Sequence, residues 1–316
     1  MFGKDRASIV YLDTSFLSQF AKVEIGKLGV SSLAEKWREL LERLRQEVQR
    51  GTLICPSSQF SLQEALLSPQ ILPQFCRIRS ELSKGYSFKD WKDILVHQTA
   101  NQVLIYLGRP QDINLGWNVL TRQALNIVPP WATRIAKKDV LQFLEELRKG
   151  EAAKRSYAGQ YEAERITLLQ ESFLQPLRQL QGLDTYYKSS DPVRDFLHSG
   201  FFGMLRGEAN ISNSELPKVL AFFESNLVDQ IPYIYIFCSI NTSLKIYEQA
   251  RMPKIGDWLD VSALACAIPY CDIVTTDKNM KTHIVNRLQL RDRADIFTPT
   301  AKGLDALLER LSTITQ

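Results

Sequence analysis

The sequence predicts an α/β fold, a parallel sheet flanked by helices, with a large all-α segment inserted into it. Three observations carry this. Near the start, short apolar runs rich in β-branched and aromatic residues alternate with helical patterns. The same alternation returns near Gly256 and continues to the end. From about Glu81 to Ile240, helical periodicity dominates and strand signals are sparse. The expected division is therefore one domain in two parts, residues 1–80 and 241–316, with 81–240 as a helical insertion.

The first strand is Ser8 to Leu12, a nearly continuous apolar run of the kind buried on both faces of a sheet. A helix follows from Ser32 to Arg50, where Leu33, Trp37, Leu40, Leu41, Leu44 and Val48 recur at three- and four-residue spacing. Gly51 stops it. TLICPSS supplies a second short strand closed by Pro56, and Ser61 with Glu64 opens another helix. In the middle, Pro129-Pro130, Gly150, Gly182 and Asp191-Pro192 read as helix ends or turns. Beyond it, DWLDVSALACAI is a helix of small residues, DIVTTD a strand ending in an acid, NMKTHIVNRL a helix, DIFTP a last strand and LDALLERL a terminal helix.

Composition narrows the class. The 316 residues are 45% apolar and 23% charged, which excludes collagen-like, disordered and disulfide-scaffold chains. No apolar run approaches the ~20 residues of a membrane span, and the first fifteen residues lack the form of a signal peptide. An intracellular, cytoplasmic protein is expected. The five cysteines include no CxxC pair, and most stand in apolar runs, so neither disulfides nor a zinc site is expected. A net charge of +4 permits nucleic-acid binding without requiring it.

Five carboxylates stand where strands end or helices begin. Asp13 follows the first strand, and Asp277 follows IVTT. Glu64 lies early in the helix after the second strand, and Asp257 and Asp260 open a later one. Ligands of an open parallel sheet bind at the carboxyl ends of its strands. Acids converging there repel one another unless a divalent cation joins them, and hard oxygen ligands suit Mg²⁺ or Mn²⁺. Ser61 with Glu64, and Asp257 with Asp260, also fit plain helix-capping roles. Asp13 and Asp277 are read as having no local backbone role. Asp272 precedes the strand that Asp277 follows, which puts it roughly 16 Å away at the opposite sheet edge and outside the site.

Three blocks resemble the PIN-domain nucleases, in particular large bacterial PIN-like proteins: VYLDTS at Val10 to Ser15, CPSSQFSLQEAL at Cys55 to Leu66, and GDWLDVSALACAIPYCDIVTTDKNM at Gly256 to Met280. The resemblance covers about 80 residues at each end and leaves out the middle. It implies a metal-dependent endoribonuclease that uses Mg²⁺ or Mn²⁺, RNA being the family's usual substrate, while the choice between RNA and DNA stays open. By position, Asp13, Glu64, Asp260 and Asp277 match the family's four acids, and Asp257 an accessory metal ligand of larger members. Thr14, Ser15 and Thr276 would support the ligands, with Ser15 standing where many relatives have asparagine. The insertion departs from small PIN toxins, so a toxin–antitoxin role is not implied.

Lys278, Lys281 and Arg287, with Arg291 and Arg293, closely follow Asp277 and are expected to grip a phosphate backbone. A second basic group, Arg134, Lys137, Lys138, Arg148, Lys149, Lys154 and Arg155, lies in the insertion, where Tyr157, Tyr161, Tyr186 and Tyr187 are candidates for base stacking. The insertion is alternatively an interface for a protein partner or for a second copy. His97, His198 and His283 form no pair, which disfavours a two-histidine ribonuclease, and His283 is expected on a helix surface. A nucleophilic-aspartate phosphohydrolase would want an acid two residues after Asp13, where Ser15 stands. The competing reading is a catalytically inactive PIN-like module that binds RNA or protein.

Overall fold

A computed structural model describes residues 7–65, 70–109, 119–122, 157–169, 201–248, 255–290 and 293–314. The chain divides into two units. The described residues of the first fall within Met1–Lys89, Val119–Glu145 and Met252–Gln316, and those of the second within Asp90–Asn118 and Glu146–Arg251.

The first unit is built on a sheet of four parallel strands: β1 (Ser8–Tyr11), β2 (Leu53–Ile54), β5 (Ile273–Thr275) and β6 (Asp295–Phe297), in the order β2-β1-β5-β6. Val10 pairs with Ile273 and Tyr11 with Val274, so the two ends of the sequence meet as neighbouring central strands. The chain leaves β1 for β2 on one side, whereas β5 leads to β6 on the other. The carboxyl ends of β1 and β5 therefore flank the point where the winding reverses, the usual ligand crevice of such sheets. At the opposite edge, Asp272 Oδ2 accepts the Ile9 N–H at 2.8 Å, consistent with its exclusion from the site.

Helices cover the sheet. Helix α1 (Thr14–Glu24) was not expected, although Phe16, Leu17, Phe20 and Ala21 lie on one buried stripe. Helix α2 (Ser32–Arg50) starts where Ser31 accepts the Ala34 N–H and ends at left-handed Gly51. Trp37 of α2 receives the rings of Phe16 and Phe20 edge-on, with centroids 5.1 and 5.4 Å away. Helices α3 (Gln59–Ala65) and α4 (Leu72–Ser83) follow β2. Ser58, rather than Ser61, caps α3: its Oγ accepts the Phe60 N–H, while the Ser61 hydroxyl turns back to the Ser58 carbonyl. The terminal helix α12 (Ala301–Ile314) inserts Leu304, Leu307 and Leu311 into the same core as Val10, Phe16 and Trp37.

The expected insertion boundaries fall inside helices. Residue 80 lies within α4, and residue 240 within α9 (Pro232–Tyr247). The segment is also not wholly helical. Strands β3 (Tyr86–Phe88) and β4 (Leu120–Arg122) pair antiparallel and belong to the first unit. Three residues are too few to show a period of two in the sequence.

The second unit is helical among the described residues. It contains α5 (Trp91–Tyr106), α6 (Tyr157–Leu169), α7 (Phe201–Ala209), α8 (Leu216–Phe223) and α9, with short 3₁₀ turns at Asn213–Glu215 and Asn226–Gln230. Buried Gln98 of α5 accepts the Tyr233 N–H at 2.7 Å and so satisfies a donor in the first turn of α9. The Lys245 ammonium pairs with the Glu164 carboxylate between α9 and α6, and Gln160 donates to the same carboxylate at 2.6 Å. No helix among the described residues is long and apolar enough to cross a membrane.

Candidate active site at the carboxyl edge of the sheet

Asp13 sits two residues beyond β1 and is the N-cap of α1, its carboxylate accepting from the Ser15 N–H. Asp277 stands likewise beyond β5 and caps α11 (Lys278–Lys281), accepting the Met280 N–H at 2.8 Å. This corrects the expectation that neither acid serves the local backbone. Each ends a strand and starts a helix, and a carboxylate is favoured at a helix N-terminus by both the free N–H groups and the dipole.

Three further contacts hold Asp13. The Ser15 hydroxyl donates to its Oδ2 at 2.6 Å. The Asp13 N–H donates to Thr275 Oγ1 at 2.8 Å, and that hydroxyl in turn donates to the Tyr11 carbonyl at 3.1 Å. Thr275, fully buried, thus ties the outgoing end of β1 to β5, two residues before Asp277. The sequence assigns the supporting role to Thr276 rather than to its neighbour Thr275; the Thr276 N–H continues the sheet to the Phe297 carbonyl at 2.9 Å. Thr275→Val keeps the shape, removes the hydroxyl and strands a buried N–H. We expect it to cost about 1–3 kcal/mol in urea unfolding, with Thr275→Ser close to wild type.

Burial raises the Asp13 carboxyl above its ordinary value. The Ser15 and Thr14 hydrogen bonds oppose that shift, and the negative charge of Asp277 adds to it. The two acids thus repel each other across the crevice. Among the described residues, no lysine or arginine pairs with Asp13 or Asp277.

Asp257 is buried in the first turn of α10 (Ile255–Ala267), and half-buried Asp260 lies one turn on. Both engage other groups of the protein. Helix α10 packs near α3 through Trp258, whose ring meets that of Phe60 at 6.0 Å. The Glu64 side chain lies outside the described residues, although its backbone is part of α3. Among the described residues, no three His, Cys, Asp or Glu side chains are grouped closely enough to hold an ion together. Among the described residues, the structure therefore brings Asp13 and Asp277 to one crevice without grouping a third acid closely with them. The chemistry of these two fits a hard divalent cation: anionic oxygen donors, mutual repulsion, and no cationic side chain between them among the described residues.

The expected phosphate-gripping residues fare differently. Lys278 is exposed. Lys281 is not free: its ammonium donates to the Ile296 carbonyl at 2.6 Å and lies 5.8 Å from the Phe297 ring centre, and burial lowers its pKa. Arg287 sets a guanidinium nitrogen 3.1 Å from both ring nitrogens of His283. His283 is fully buried rather than on a helix surface, in a π-helical turn (Thr282–Arg287) that continues α11. The Tyr161 hydroxyl donates to Asp229 at 2.8 Å within the second unit, whereas Tyr157, whose hydroxyl faces the Ser239 carbonyl at 3.5 Å, stays exposed. Arg134, Lys137, Lys138, Arg148, Lys149, Lys154, Arg155, Tyr186, Tyr187, His198 and Arg291 lie outside the described residues, as do the expected turns at Pro129-Pro130, Gly150, Gly182 and Asp191-Pro192. All five cysteines are free thiols, four of them buried. Compared with protein-family models, with curated proteins and with solved structures, the chain matches none of them.

Proposed function

We propose that this chain is a metal-dependent nuclease that hydrolyses phosphodiester bonds in single-stranded RNA, with Mg²⁺ or Mn²⁺ held at the carboxyl edge of the sheet. One observation carries the reading. Two acids from opposite ends of the sequence follow neighbouring strands and cap the helices after them at the winding reversal, repel each other, and have no cationic side chain to neutralise them among the described residues. The resemblance of the three sequence blocks to PIN-domain nucleases supports it. Asp13 and Asp277 would hold the ion, with Glu64, Asp257 and Asp260 as the remaining carboxylates of the set. The ion would act as a Lewis acid on the phosphoryl group and lower the pKa of a nucleophilic water. Ser15 fixes which Asp13 oxygen is engaged, and Thr275 fixes the backbone that carries it.

The test is cleavage of a labelled single-stranded RNA by the purified full chain. We expect cutting with Mn²⁺ or Mg²⁺, 5′-phosphate products, and arrest by EDTA. Cutting that continues in chelator contradicts the reading. A non-catalytic module that binds RNA or protein is the second reading, favoured by the absence of a three-membered ligand group among the described residues. It expects RNA binding and no cutting with either metal.

A further inference from the structure

We propose that Tyr86 and Arg122 form a platform that grips an unpaired nucleic-acid strand beside the acidic crevice. The proposal deepens the nuclease reading by naming where that substrate rests. The two residues are cross-strand partners in the β3–β4 ribbon, 36 positions apart in the sequence. The Arg122 guanidinium lies over the Tyr86 ring, 4.8 Å from its centre, and donates to its hydroxyl at 2.6 Å. Arg122 is exposed, and among the described residues it forms no ion pair. Exposed Lys84 precedes the ribbon in a tight turn where it and Gly85 both take positive φ, 50° and 79°.

The ribbon is seated at the carboxyl edge of the main sheet. Ser57, just past β2, bridges to Ser87: its N–H donates to the Tyr86 carbonyl at 3.0 Å, and its carbonyl accepts the Phe88 N–H at 2.9 Å. Phe88 is buried, and its ring meets that of Tyr11, the last residue of β1, at 6.1 Å. Strand alternation puts Tyr86 on the same face as Phe88, about 7 Å along the ribbon. Phe88 thus anchors the ribbon at the end of β1, two residues before Asp13, with the Tyr86–Arg122 pair two residues further back along β3.

The chemistry selects the occupant. A planar guanidinium lying over an aromatic ring and hydrogen-bonded to its hydroxyl is held in place, keeps most of its five donors for a phosphate, and offers its outer face to a base. An acidic peptide would meet the charges of Arg122 and Lys84 but would gain nothing from the flat surface. A duplex hides the faces of its bases, so the strand must be unpaired. As a purely structural device, the pair would add only a small increment to ribbon pairing, and it need not be exposed.

The experiment is fluorescence anisotropy of labelled dodecauridine and dodecathymidine with the full chain in EDTA at several salt concentrations, so binding is read without catalysis. We expect wild-type binding that weakens with salt. Arg122→Ala should weaken it about tenfold and lower the salt slope by about one ion. Tyr86→Ala should weaken it severalfold with the slope kept. Arg122→Lys should keep the slope and still bind severalfold more weakly, because the charge remains and the plane is lost. That last variant decides the matter if Tyr86→Ala disturbs the ribbon. No wild-type binding, variants that bind like wild type, or equal affinity for a duplex or a polyglutamate peptide would overturn the platform. Tight binding without any metal-dependent cutting would sink the nuclease reading and leave the platform standing. Cutting that is indifferent to these variants would do the reverse.

Discussion

Asp13→Asn should lower metal-dependent cleavage at least a hundredfold while leaving the metal-free protein as stable as wild type or more so. The loss follows from removing an anionic ligand, since charge stabilisation by a held cation is worth several kcal/mol and each 1.36 kcal/mol is tenfold in rate. Stability should survive because asparagine caps a helix about as well as aspartate and can still accept from Ser15. It should rise at neutral pH because the repulsion with Asp277 is relieved. The sign follows from proton linkage. Burial and Asp277 hold the folded-state carboxyl above its unfolded value of 3.8. Between the two values the folded state binds more protons, so this group's contribution to stability falls as pH rises through that window. Melting temperatures of the metal-free proteins from pH 3 to pH 7.5 would show the asparagine variant gaining on wild type with rising pH. A variant that melts far below wild type at neutral pH would mark Asp13 as a structural cap alone.

The second large effect lies in the helical unit. Glu164→Ala should destabilise that unit by about 3–5 kcal/mol, because it removes the carboxylate from a buried ammonium. The side chains of Glu164 and Lys245 are only 3% and 6% exposed. Pairing Glu164→Leu with Lys245→Met should restore much of the loss, since well-packed apolar residues often replace a buried ion pair at little cost. Urea melts of the full chain, followed by a probe in the helical unit, would report both. A double variant as unstable as the sum of its parts would contradict this account of the pair.

The parallel sheet was legible from its ends because β1 and β5 are short apolar runs with an acid shortly after each. The crevice followed from those acids, but their capping roles did not. The expectation for β1 passed from the strand directly to Ser32, so the helix that Asp13 starts went unread, though Phe16 and Phe20 fall at helical spacing. Glu64 and the two α10 acids were legible as types. Their grouping depends on how α3 and α10 approach the sheet, which no local pattern encodes. His283 shows the same limit: a lone histidine in a polar stretch carries no mark of burial. Tyr86 and Arg122 were invisible for a different reason. Their partnership arises from a three-residue pairing across a long connection, and neither strand is long enough to alternate visibly.

The most direct measurement on the crevice is an electron paramagnetic resonance titration of metal-free protein with Mn²⁺, comparing wild type, Asp13→Asn and Asp277→Asn. A shared cation site predicts saturable binding by wild type that weakens at least tenfold in each variant while both stay folded. Wild-type protein that leaves Mn²⁺ free in solution, or variants that bind it as tightly as wild type, would contradict the claim that these two carboxylates hold an ion.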